Sequence, residues 1–148
     1  MSDISEKKIE EEAGRIYAQI NMLNSIAESL KEQSEAIQKQ LIDLQLSLET
    51  LNEISKIEKN CRVILPLGSS IMVDAIIIDN ENAYINVGSN VIIKRPNQYV
   101  KEILEKRMEI LQKQQIEIQQ KLNETISGIQ YLQNQLSTLL QQLKERKG

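Results

Sequence analysis

A chain of 148 residues with no His, Trp or Phe, four Tyr and one Cys has too few aromatic side chains for an ordinary globular core. The missing His removes His general bases and Ser-His or Cys-His nucleophiles, and the single Cys removes disulfide frameworks and multi-Cys metal sites. A net charge of −3, from 18 basic and 21 acidic residues, argues against nucleic acid as a partner, because phosphate binding needs a concentrated basic surface.

Residues 1–60 read as one helix. The series Ile9, Ala13, Ile16, Ile20, Leu23, Ala27, Leu30, Ser34, Ile37, Leu41, Leu44, Leu48, Leu51, Ser55 steps by four and three without a break. Such a 3.5-residue repeat is a coiled-coil seam, since a straight helix would drift off it by about 20° per heptad. Ser34 and Ser55 are its polar members, and Gly14 is the only glycine in this segment. The segment carries 12 acidic and 7 basic side chains. Its first twelve residues hold five acids and no apolar run, so neither a signal nor a transit peptide is expected.

Residues 61–96 change period and composition. They contain both prolines, two of the five glycines and most of the β-branched runs. Strands are predicted over 63–67, 71–78, 83–87 and 91–94, with turns at Gly68-Ser-Ser70, Asp79-Asn-Glu-Asn82 and Gly88-Ser-Asn90. The second strand is either continuous or broken near Asp74-Ala75. Two successive β-hairpins is the simplest arrangement. About 36 residues cannot make an independent core, and both sheet edges would be open. Ile64, Ile77 and Ile92 are expected on the face opposite the inner one. The candidate oligomerisation residues are Val63, Leu65, Leu67, Ile71, Val73, Ile76, Ile78, Ile85, Val87, Val91 and Ile93. Hairpins from several subunits would then join into a barrel.

Residues 97–148 repeat the seam with Leu104, Met108, Leu111, Gln115, Ile118, Leu122, Thr125, Ile129, Leu132, Leu136, Leu139, Leu143. Asn97 is the expected helix N-cap, accepting from an orphan backbone N–H. From residue 98 on there are eight basic and six acidic side chains, which suits an antiparallel partner for the acidic first helix. That pairing sets Leu51 beside Leu104, Ala27 near Ile129 and Ala13 near Leu143, with both termini together about 70 Å from the strands. The predicted class is α+β: a long antiparallel coiled-coil hairpin with two central β-hairpins that assemble into an intersubunit β-barrel.

These residues resemble a known family. Two long helices bracketing Ile64-Leu-Pro-Leu-Gly-Ser-Ser-Ile71 and Tyr84-Ile-Asn-Val-Gly88 look like the α-type subunit of prefoldin, over nearly the whole chain. The Pro-Leu-Gly-Ser-Ser stretch and the Val-Gly are the specific part, and two hairpins fit the α rather than the β class. Val73-Asp74-Ala75 stands where family members often show a Pro-Gly pair. The resemblance implies a cytoplasmic hexamer of two α-type with four β-type prefoldin subunits, a double barrel bearing six coiled coils. It implies capture of unfolded client polypeptides without ATP or cofactor, and transfer to a group II chaperonin. A related filament-forming archaeal branch shares the architecture, and a coiled-coil scaffold or adaptor is the remaining alternative.

The candidate client-binding residues are Ile4, Ile9, Ile16, Leu136, Leu139, Leu140 and Leu143 near the helix ends. Most of them also have a plain role in closing the seam. Ile4 and Leu140 lie off it, so exposure is expected there. Tyr17, Met22, Ile26 and Ile126 flank the seam further in and would extend that surface. Ser34 and Gln115 read as register control. Cys61 reads as a small buried hydrophobe. Glu10-Glu-Glu12 point in different directions and suit a solvated face rather than a metal. Gly68-Ser-Ser70 lacks the Lys and the strand–helix setting of a phosphate loop. No catalytic constellation, metal site or membrane span is expected.

Overall fold

The computed structural model describes residues 2–148. Helix α1 runs Ser2–Lys56 and helix α2 Asn97–Lys147. Between them lie β1 (Cys61–Gly68), β2 (Ile71–Ile77), β3 (Asn82–Asn86) and β4 (Ile92–Pro96). β1 pairs antiparallel with β2 and β3 with β4, forming two separate two-stranded sheets. Leucine-rich seams without internal Pro sustain both helices, and the two prolines fall where a helix cannot run.

The chain divides into two compact units, one built from residues up to Gln38 with Lys113–Gly148, the other from Lys39–Gln112. In the first, Ile16, Ile20, Ala27 and Leu30 of α1 form one buried cluster with Leu122 and Ile129 of α2. Ala27 and Ile129 therefore share a cluster, as the antiparallel register requires. The small side chain on one helix leaves room for the larger one opposite. Gln115 Nε2 donates to Ser34 Oγ at 2.7 Å, so two polar seam positions meet each other. Thr125 Oγ1 instead donates to the carbonyl of Lys121, one turn back.

In the second unit Leu51, Ile85, Val100 and Leu104 form the core, with Leu44, Leu48, Ala83, Ile93 and Ile103 packed on it. Leu51 and Leu104 meet as the seam register predicts. The second hairpin thus closes on the helices of its own chain. In both units the core is thin, and none of the larger described side chains is fully buried.

The register settles one open alternative and corrects one expectation. β2 is unbroken: Asp74 pairs with Ile64 and Ala75 with Val63. The irregularity lies in β1, where Pro66 pairs with Met72 and Gly68 with Ile71, leaving Leu67 as the extra residue of a bulge. A proline has no ladder donor, so the distortion falls beside it. Because the strand does not bend at Asp74-Ala75, its two-residue alternation continues. Ile76 then lies opposite Arg62 and shares a face with Ile64, while Ile77 lies opposite Cys61 and shares the face of Val63. Ile77, expected on the outer face, is on the half-buried one, and Ile76 takes its place.

The turns use left-handed backbone where the sequence offers small polar residues. Ser70 (φ 70°) closes the first hairpin, and Ser89 (φ 50°) with Asn90 (φ 60°) the second. Paired positive φ values match the strand twist of a hairpin. Gly88, at φ 116°, occupies a conformation a side chain would strain.

Candidate functional site

The helix ends meet in the first unit. Arg146 Nη1 donates to Ser5 Oγ, and Lys147 Nζ lies 3.6 Å from Glu10 Oε1. Residues 3–13 carry five acids against two bases, and Lys144, Arg146 and Lys147 end α2. Each sign also suits its helix, acids at the positive amino end and bases at the negative carboxyl end.

The candidate residues there divide by exposure. Ile4 (65% exposed) and Leu140 (51%) face solvent, as their off-seam positions predict. Ile9, Leu136, Leu139 and Leu143 are half-buried along the seam, Leu136 and Leu139 against the first core cluster. Ile16 is buried in that cluster and contributes to the surface only as part of a groove of about 470 Å³. Glu12 also lines this groove from α1, facing Tyr131, Asn134, Gln135, Thr138 and Leu139 of α2.

Tyr131 was not singled out by the heptad pattern. Its ring is exposed and its hydroxyl accepts from Gln135 Nε2 at 2.9 Å. A position one residue before the seam leucine Leu132 is the signal that could have found it. Tyr17, Met22, Ile26 and Ile126 are exposed as expected. Gly14 has open space where a Cβ would stand, so no close neighbour requires a glycine there. Its presence costs the helix about 1 kcal/mol relative to alanine.

The strands hold the second set. Twelve large apolar residues between Ile64 and Ile92 are exposed, far more than scattered surface residues would give. On β1–β2, Leu65 and Val73 share one face with the half-buried Val63, Ala75 and Ile77. The other face carries Ile64, Met72 and Ile76 around an Arg62–Asp74 ion pair of 3.3 Å. Leu67, Ile71 and Ile78 are exposed at the bulge, the turn and the strand end, and Val87 and Val91 beside the second turn. Ile85 is buried and Ile93 half-buried, both packed against the helices of the same chain. These two residues, expected among the oligomerisation set, fill the intrachain core. The alternation identified their shared face, but not what covers it.

A polar cluster anchors the hairpins to the helix ends. The Asp79 carboxylate accepts from the Glu81 N–H at 2.9 Å and the Asn82 N–H at 3.0 Å, and Lys94 Nζ lies 3.0 Å from its other oxygen. The Glu81 amide, then the Lys94 ammonium and the Asn82 amide, hold the Asp79 carboxyl well below the usual carboxylate range. Asp79 in turn raises the Lys94 ammonium above its ordinary value. Asn80 Nδ2 donates to the Ile57 carbonyl at 2.7 Å. Asn97 differs from its expected capping role. Its Nδ2 donates to Ser55 Oγ at 3.0 Å and to the Asn80 carbonyl at 2.8 Å, while its Oδ1 has no partner. Its backbone N–H donates to the Glu81 carbonyl at 2.9 Å. Asn97 is therefore a tie between α1, the inter-hairpin turn and α2. Arg107 of α2 adds a second tie, donating to the Asn86 carbonyl at 2.6 Å.

Cys61 is half-buried at the start of β1. Among the described residues no group of His, Cys, Asp and Glu is placed to hold a metal, and no helix is long and apolar enough to cross a membrane.

Comparison with known proteins gives one consistent answer. The family model described as Prefoldin subunit matches residues 23–142. The prefoldin subunit alpha of Methanopyrus kandleri is 29% identical over 118 residues, covering 80% of this chain and 75% of that protein. The prefoldin subunit alpha of Methanococcoides burtonii is 27% identical over 120 residues, covering 81% and 84%. Among solved structures, filamentous PFD from Methanocaldococcus jannaschii shares the fold with a TM-score of 0.69 at 18% identity, over 76% of this chain and 93% of that one.

Proposed function

The chain belongs to the prefoldin family of non-enzymatic chaperone subunits, and we propose that it is an α-type subunit that captures unfolded polypeptides at its paired helix ends. The observation that carries this reading is the exposure of Ile4 and Leu140 beside the half-buried Ile9, Leu139 and Leu143. Apolar surface that the chain itself leaves open is what a non-native client can cover. The contacts at one helix pair are few, so capture depends on several subunits holding one client. Linked weak contacts can exceed a single one by about 10²-fold or more.

Assembly would run through the strands. Val63, Leu65, Leu67, Ile71, Val73, Ile76, Ile78, Val87 and Val91 line the surface that neighbouring subunits would bury, and the open sheet edges offer them ladder partners. The partners in this reading are four β-type prefoldin subunits for every two copies of this chain. The captured client passes to a group II chaperonin in the cytoplasm, and no cofactor takes part. A second reading, a subunit of an open-ended filament, draws on the apolar residues on both faces of the first hairpin. The native mass separates the two, since a discrete hexamer and a polymer ladder do not overlap.

The test of capture removes residues 1–12 and 137–148. Assembly mass should fall only by the deleted segments, while suppression of aggregation of a denatured test protein should be lost, with or without ATP. Full suppression by the truncated assembly would sink the capture mechanism.

A further inference from the structure

Gly14 stands inside α1 without either of the reasons that usually place a glycine in a helix. Its φ is not positive, and a Cβ there would meet nothing within 4 Å. What remains is its effect on the helix itself: residues 3–13 are joined to the rest of α1 through a locally weakened turn. Little else holds this segment. Ala13 is its one buried apolar side chain and Ile9 is half-buried. Two side-chain contacts tie it to α2, Arg146 to Ser5 and Lys147 to Glu10. The Lys147 and Glu10 side chains are 61% and 55% exposed, so water and salt weaken their attraction. Segments with few buried contacts open locally long before the whole fold does.

From this geometry we propose that residues 3–13 form a latched strap, closed by the Glu10–Lys147 and Ser5–Arg146 contacts and released at Gly14. The inference rests on reading the helix ends as the capture surface. Opening lifts Ile9 from the seam and uncovers Leu143, which is half-buried in the closed form, while Leu139 stays against the core cluster around Ile16. Ile9 and Leu143 then close the seam in one state and hold a client in the other. A client binds the open form, so its apparent affinity scales with the fraction open. The opposite charges of the two ends keep that fraction small, and the glycine keeps it from vanishing.

The test uses the full-length chain in its native assembly. Amide hydrogen exchange is followed for residues 4–12. Binding is measured with fluorescently labelled, reduced and carboxymethylated α-lactalbumin, which cannot fold. Gly14→Ala should slow strap exchange about fivefold and weaken binding by a similar factor, because the helix-propensity gain acts on the opening step. Glu10→Lys should speed exchange and tighten binding, and adding Lys147→Glu should return both toward the parental values. Unchanged strap exchange in Gly14→Ala, or slowed exchange with unchanged or tighter binding, overturns the strap. The variant Ile4→Ser with Leu140→Ser reads the capture surface separately. Loss of binding there, beside unaltered binding in Gly14→Ala, retains capture and rejects the strap. Parental binding by Ile4→Ser with Leu140→Ser rejects the capture surface, and the strap with it.

Discussion

Gln115 and Ser34 are 81 positions apart in the chain and 2.7 Å apart in space, amide nitrogen to hydroxyl oxygen. They are polar members of two largely apolar seams, and this axial alignment of the helices lets them meet. A slip by one heptad would part them and set each against an apolar seam residue. The pair is still a thermodynamic burden, because Gln115 Oε1 is buried without a partner.

Replacing both, Ser34→Leu with Gln115→Leu, should therefore stabilise the fold by about 1–2 kcal/mol, the desolvation cost of the orphaned oxygen plus the gain in apolar contact. Ser34→Leu alone should destabilise it, since the Gln115 amide then has no acceptor. Thermal unfolding followed by circular dichroism measures both. A double variant no more stable than either single one would show that the pair adds stability as well as alignment.

Asn97 can be tested for what it does rather than that it matters. Its two side-chain donations should make Asn97→Ala cost about 1–3 kcal/mol. Asn97→Asp, an excellent N-cap, should cost more than Ala, because a carboxylate would face the Asn80 carbonyl. A stable Asn97→Asp protein in urea unfolding would restore the capping role that the helix start suggests.

Ile85 and Ile76 are both strand isoleucines, and their exposure predicts opposite failures. Ile85 is buried against Leu51 and Leu104, so Ile85→Ala should lower stability by about 2–4 kcal/mol. Ile76 is exposed, so Ile76→Lys should leave helix content intact and reduce the mass of the assembly. Light scattering beside circular dichroism separates the two. Full assembly by Ile76→Lys would remove that face of β1–β2 from the subunit contact.

Asp79 gives a pH dependence with a definite sign. Its carboxyl titrates at 3.8 when free and well below that in the fold. The stabilisation it supplies is complete above the unfolded value and fades as pH falls from about 4 through the lower folded value. Asp79→Asn should be less stable than the parent at pH 7, and the gap should narrow steadily below pH 4. Lys94 has the opposite sense: its share is present below 10.5 and is lost as pH rises through its raised folded value. Unfolding midpoints across both ranges test this, and a gap that stays constant down to pH 2 would contradict it.

The helices were the legible part of the sequence. An unbroken four-three alternation fixes which residues face inward, and the partners it implies, Leu51 with Leu104 and Ala27 with Ile129, do share clusters. The strands were legible as strands, yet their faces were not. Alternation says that Ile85 and Ile93 share a side, but only the fold shows that helices of the same chain cover it. Of the two alternatives for the second strand the continuous one holds, because an exposed aspartate with Arg62 on the neighbouring strand is at home in the ladder. The distortion lies at Leu67, beside Pro66, which has no N–H to give the ladder. At the helix ends, an exposed Ile4 could be read from its position off the seam. Tyr131 was passed over because the seam series marks only inward positions, although its place beside Leu132 could have flagged it.

The thinness of the core has a consequence on the evolutionary timescale. With none of the larger described side chains fully enclosed, most seam positions ask only for an aliphatic residue of roughly suitable bulk. Such a requirement filters few substitutions, so related lineages can drift far apart while the backbone stays put. That accounts for a fold shared at a TM-score of 0.69 with only 18% of residues in common. A library that randomises the exposed positions and holds only the seam, the turn residues and Asn97 should yield many folded proteins with little identity to this one.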